Sequence, residues 1–201
     1  MKRILIAAVS VVAVAATAFV AYPQADAAAR WRLDFEPGEL KVIVAGGSPH
    51  YYLPYTVKNG TDAARAPRIR LALETETGKT HGDHFDGATF KAVARKTHVD
   101  SIDSTLRLRT KELGAGASGS AMAQFGRIDP NADNFEVRVY GLWDAIVRDR
   151  RGVVWSERRV LVLKYARTGD EYRRHEDPIR FVSKSQEVEG ERVKLHGGPA
   201  E

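Results

Sequence analysis

The feature that most limits what this chain can fold into is a hydrophobic period of two that recurs from Trp31 onward. Tyr51, Leu53, Tyr55 and Val57 alternate along Tyr51–Lys58, and Ile69, Leu71 and Leu73 alternate with Arg68, Arg70 and Glu74. Leu106 and Leu108 alternate with Arg107 and Arg109, and Phe135, Val137 and Val139 alternate with Glu136, Arg138 and Tyr140. Successive side chains on an extended backbone point to opposite faces, so each run predicts a strand with one buried face. Arg159–Ala166 is apolar on both faces, as a central or covered strand would be. Trp31–Phe35 and Leu40–Val44 predict two opening strands around Pro37-Gly38, and Ile179 with Phe181 a last one.

The punctuation between these runs predicts how they connect. Pro54 has no N–H for a ladder, which places its strand at an edge or at a bulge. Asn59-Gly60 predicts a tight hairpin turn, and Asp129-Pro130 and Gly169-Asp170 have turn chemistry as well. Gly114–Ser120 (GAGASGS) reads as a flexible connector. One short helix is predicted over Ala88–Lys96, with Asp86 as its N-cap and Phe90, Val93 and Ala94 on one side, plugging one end of the fold. Short strands at this spacing predict a mainly all-β chain folded as an antiparallel β-sandwich. The expected domain spans residues 28–185, and the polar, turn-rich residues 186–201 are expected to form a disordered tail.

Ahead of that domain, Lys2 and Arg3 precede an apolar run from Ile4 to Ala21, broken only by Ser10 and Thr17. Pro23 and then Ala25-Asp26-Ala27 follow, a small-x-small pattern that fits a signal peptidase. Residues 1–27 therefore read as a secretory signal peptide, cut after Ala27 or, as the alternative, after Ala29. An uncleaved anchor is the competing reading, but the run is Ala-rich and lacks a positive stop-transfer cluster. The expected location is the periplasm or the extracellular space.

The chain has no cysteine. That removes disulfides, thiol nucleophiles, Cys-based metal sites and lipobox anchoring, and leaves packing to hold the domain together. Its 31 Lys and Arg against 26 Asp and Glu give a net charge of +5, suited to weak attraction toward polyanions. Export places the partners outside the cytoplasm, so nucleic acid is not expected among them; an envelope protein or an anionic glycan is.

Three constellations suggest chemistry. Arg68, Arg70, Arg107, Arg109 and Arg138 alternate with core positions and would form a basic stripe if their strands were neighbours, each guanidinium fork suiting sulfate, phosphate or carboxylate. Pairing with Glu74 and Glu136 would neutralise that stripe. His81, Asp83, His84 and Asp86 combine imidazole and carboxylate ligands suited to zinc or manganese, with His50 or His98 as a distant third partner, but their spacing suits no regular element and a polar loop leading into a helix capped by Asp86 is the favoured reading. Trp143 and Trp155 flank a segment carrying Arg148, Arg150 and Arg151, which predicts a long hairpin arm able to dock a partner or a sugar ring, or simply packed on its tryptophans. Gly-x-Ser-x-Gly is absent, Ser118 and Ser120 sit in the Gly-rich stretch, and no catalytic set can be named. No cofactor is implied. Asn59-Gly60-Thr61 matches the N-glycosylation sequon.

Tyr52–Val57, Phe125–Pro130, Asp133–Val139, Leu163–Tyr165 and Gly169–Tyr172, taken together with the signal segment, resemble a group of uncharacterised exported bacterial proteins. The resemblance implies an immunoglobulin-like sandwich and carries no catalytic or binding residue. The chain thus reads as an exported binding or structural module. Expression in a bacterial host should yield a protein whose N-terminus is Ala28, read by N-terminal sequencing or intact mass; a full-length chain would show that the segment is retained.

Overall fold

The period of two becomes one curled, hydrogen-bonded sheet in a computed structural model that describes residues 28–97, 102–129, 131–168, 178–190 and 193–194. The predicted signal segment, the Gly169-Asp170 turn and His98 lie outside the described residues. The strands are β1 (Ala28–Pro37), β2 (Lys41–Ala45), β3 (Ser48–Asn59), β4 (Arg70–Thr75), β5 (Thr80–Gly82), β6 (Asp103–Ser104) and β7 (Ser118–Gly126). The remaining ones are β8 (Asn134–Arg148), β9 (Val154–Arg167), β10 (Ile179–Val188) and β11 (Val193–Lys194). Two helical segments interrupt them, α1 (Gly87–Thr97) and the single turn α2 (Thr105–Leu108). The protein is mainly β, as the alternation predicts.

The path through the sheet runs β10-β9-β8-β1-β3-β7-β6. Strand β1 joins its two halves: Ala28–Arg32 pair with β8, and Leu33–Pro37 with β3. β4 shares the same edge of β8, and β2 the same edge of β3. The curl brings Leu33, Phe35, Leu53 and Val57 into one buried cluster with Leu73, Val137 and Leu163 from the other half. Each such aliphatic or aromatic side chain removed from water contributes roughly 1.5–3 kcal/mol. The predicted faces of β3, β4 and β8 are the buried ones.

Residues one step out of phase on β2, β3 and β7 face the other way. Ile43, Tyr52 and Met122 form a second cluster with Val93, with Phe90 packed against it. α1 therefore covers the outer face of this half of the sheet and does not plug an end. Its predicted N-cap is in place: Asp86 Oδ1 accepts from the Ala88 N–H at 2.9 Å, and Oδ2 from the Thr89 hydroxyl at 3.0 Å. These bonds, the Ala88 one first, hold the Asp86 carboxyl below the usual carboxylate range.

Several expectations are corrected. Thr105–Thr110 is not a strand: Ser104 caps Arg107 N–H at 3.2 Å and starts a helical turn, which sends Leu108 into the core and leaves Leu106 61% exposed. Gly114–Ser120 is not a flexible connector, because Ser118–Gly126 forms β7 between β3 and β6. Small residues are needed there: a Cβ on Gly119 would lie 2.7 Å from Leu108 Cδ1 and 3.2 Å from Leu113 Cδ2. β3 is central rather than an edge. Its Pro54 is tolerated where the neighbour changes from β1 to β2, with Gly38 N–H donating to Pro54 O at 2.8 Å, and a bulge lies nearby at Tyr51/Tyr52. Order also continues past residue 185: β10 runs to Val188, and β11 pairs with Trp155 and Ser156 of β9.

Asn59-Gly60 makes no two-residue hairpin, since β3 and β4 are not partners. Asn59 is fully buried. Its Nδ2 donates to Ala63 O (2.8 Å), Leu113 O (3.0 Å) and Gly114 O (3.2 Å), while Oδ1 accepts from the Thr61 N–H and hydroxyl. The sequon asparagine is thus an internal tie between two loops, inaccessible in the folded chain. Asn59→Ala removes all five of these hydrogen bonds and empties a fully buried site, and the expected loss is about 3 kcal/mol in urea denaturation; an unchanged midpoint would refute this role.

Candidate functional site

The arm predicted between the two tryptophans is the most distinctive surface. β8 and β9 pair from Asn134–Ala166 to Arg148–Val154, interrupted by an irregularity between Val139 and Trp143. Gly141 sits in that interruption at φ +79°, and a Cβ there would lie 2.6 Å from Arg68 O, so the position takes only glycine. Beyond it the hairpin has β1 rather than β4 as its neighbour. Trp143 lies opposite Arg159, Ala145 opposite Glu157, and Val147 opposite Trp155. Directly opposed residues share a face, so both tryptophans lie on the same side of the arm.

That side is built around charge. Arg159 lies over the Trp143 ring at 4.4 Å to the centroid, and its Nε donates to Glu157 Oε1 at 3.0 Å. Trp155 Nε1 donates to Asp149 Oδ2 at 3.2 Å. Asp149 Oδ1 accepts from Arg151 N–H and Val153 N–H, closing the turn at the tip. Burial pushes the Asp149 carboxyl up, but the hydrogen bonds from Val153, Trp155 and Arg151 outweigh it and hold it below the usual range. With Asp149 committed inward, Arg148, Arg150 and Arg151 project at the tip, and Arg158 lies farther down the arm opposite Asp144; all four are exposed.

The five-arginine stripe does not assemble on one sheet. Arg70 and Arg138 belong to β4 and β8, and Arg68 precedes β4, whereas Arg107 lies in α2 and Arg109 just after it. Arg138 is surrounded by acid: Glu74 at 3.0 Å, Glu187 at 3.0 Å and Glu136 at 3.3 Å. Lys164 pairs with Glu136 as well, at 3.0 Å. Arg107 pairs with Asp103 at 3.3 Å, and Arg70 lies over the Tyr140 ring at 4.3 Å. The neutralising cross-strand pairs are the observed state for Arg138.

The His81–Asp86 segment is tied down by hydrogen bonds to β4 and β7. It crosses from one half of the curled sheet to the other: Asp83 N–H donates to Leu71 O of β4 at 3.1 Å, and His84 N–H to Gln124 O of β7 at 3.0 Å. Asp83 Oδ1 accepts the Gln124 N–H at 2.8 Å, and Gln124 Oε1 accepts the Asp86 N–H at 3.0 Å. Tyr55 donates to Thr105 Oγ1 at 2.9 Å, and the Thr105 hydroxyl hydrogen-bonds the Asp83 carboxyl. His81 lies on β5 opposite Leu73, and His84 packs over Gly126. Among the described residues no three His, Asp or Glu side chains gather into a metal site.

Asp129 is a turn former, accepting Asn131 N–H at 3.0 Å and pairing with Lys79 at 2.8 Å; Asp170 and Glu171 lie outside the described residues. Two residues of note carry no sequence signal. Gln124 hides in a run of small residues, and Arg167, which donates to the Tyr51 hydroxyl, follows an apolar strand. Arg159 was legible, since Trp155, Glu157 and Arg159 alternate. No family profile, curated protein or solved structure matches the chain.

Burial is the largest influence on Asp83 and pushes its carboxyl above the ordinary carboxylate value of 3.8, against the hydrogen bonds from Gln124 and Thr105. The folded chain therefore favours the protonated acid, and the stability this brings is lost as pH rises through the raised value. Asp83→Asn keeps an acceptor for Gln124 N–H and never ionises. Its urea midpoint relative to the parent should climb as pH rises from about 4 toward neutrality; a pH-independent difference would show that Asp83 titrates normally.

Proposed function

We propose that the chain is an exported, non-enzymatic binding module whose β8–β9 arm recognises an anionic envelope polymer. The observation that carries this reading is the contrast between two sets of arginines. Arg138 is enclosed by three glutamates, whereas Arg148, Arg150, Arg151 and Arg158 are exposed on the arm with no carboxylate at ion-pair distance among the described residues. Planar guanidinium forks suit the sulfate, phosphate or carboxylate groups of such a polymer, and the two tryptophans stiffen the arm that presents them. No helix among the described residues is long and apolar enough to cross a membrane. The finer architecture in this reading is an immunoglobulin-like sandwich, supported by the shared interior of the two sheet halves.

Retention on a heparin column should fall steeply with salt, and the triple variant Arg148→Ala, Arg150→Ala, Arg151→Ala should elute at clearly lower salt than the parent. Arg138→Ala should elute with the parent. Salt-independent retention, or a triple variant that elutes unchanged, overturns the reading.

A further inference from the structure

Strand β10 offers a surface that the arm reading does not use. It is ten residues long, and among the described residues it pairs along one side only, with β9. Phe181, Val182 and Val188 on it are 49%, 60% and 45% exposed. A long edge with apolar side chains is a template for another strand unless something blocks it.

We infer that β10 is a self-association edge and that its partner is β10 of a second copy of this chain, running antiparallel. The argument is one of complementarity. The register with β9 slips between Phe181 and Ser183, so Val182 is an extra residue and the facing pattern changes phase there. Before the slip, Phe181 shares a face with Tyr165, its ring partner at 5.6 Å. After the slip, Glu187 lies on the face of Arg138, to which it is bonded. Lys184, Gln186 and Val188 then lie on the face of Phe181, while Arg180 lies on that of Glu187.

A twofold axis at Lys184 places Ile179 opposite Val188 of the other copy, Arg180 opposite Glu187, and Phe181 opposite Gln186. Every pair then lies on a common face. In a strand without the bulge, these pairs would fall on opposite faces and the pairing would be impossible. The bulge, ordinarily a device that blunts an edge, is here what makes the edge self-complementary. Each dimer gains two cross-strand Arg180–Glu187 pairs and two Ile179–Val188 contacts. The opposed Lys184 side chains at the axis work against pairing, which keeps the association reversible.

The chain has no cysteine, so one introduced thiol reports position without background. In protein purified from the full-length gene, Lys184→Cys should form a disulfide-linked dimer under mild oxidation, and Lys91→Cys on α1 should not. Light scattering of the parent should show a concentration-dependent dimer. Arg180→Glu, which turns two attractions into repulsions, should weaken it about tenfold, and adding Glu187→Arg should restore it. A parent that stays monomeric at millimolar concentration overturns the inference, as does equal cross-linking at Lys91→Cys. Either outcome leaves the arm reading untouched, because heparin retention of the arginine variants does not depend on β10.

Discussion

Both halves of the interior depend on β1 keeping two partners at once. Its first residues hydrogen-bond β8 and its last ones β3, so the strand passes through the fold as a hinge pin between two surfaces. A right-handed twist accumulated along ten residues turns the direction of its ladder enough to serve both. On the far side, the two halves are fastened by a side chain: Asp83 supplies the acceptor that a strand carbonyl would supply to Gln124. Backbone pairing on one side and a carboxylate bridge on the other together hold the curl.

Much of the fold was legible because alternation reports a face directly. The buried positions of β3, β4 and β8 are those the pattern names, and Asp86 caps α1 as its place before an apolar run implies. What the pattern could not report is size matching. Gly119 looks like a linker residue because it is small, but it is small because Leu108 and Leu113 leave no room for a Cβ. Leu106 and Leu108 alternate like a strand, and only the capping hydroxyl of Ser104 distinguishes the turn that forms.

The surface was legible only where its partners lie close in sequence. Trp143, Trp155 and the arginines between them belong to one hairpin, so their grouping follows from local pairing. Of the three glutamates around Arg138, Glu74 and Glu136 follow from strand alternation, whereas Glu187 comes from a distant strand that no local pattern brings there. The His81–Asp86 cluster misleads for a related reason. Its donors are drawn toward Leu71, Gln124 and Ala88, groups far apart in the chain, so residues adjacent in sequence diverge in space.

Asn59 also bears on how long a molecule of this protein lasts chemically. In an Asn-Gly pair the glycine nitrogen can attack the asparagine side-chain carbonyl, releasing ammonia and leaving a succinimide that opens to aspartate or isoaspartate. Here the Gly60 N–H is held by Arg32 O at 3.0 Å, and both ends of the Asn59 amide are held by the 61–63 and 113–114 backbone and the Thr61 hydroxyl. Nucleophile and electrophile are tied to different neighbours, so the reaction waits for the loop to open. Covalent ageing at this dipeptide is thereby set by how often the fold lets go, and a destabilised variant would grow old faster as well as unfold more readily.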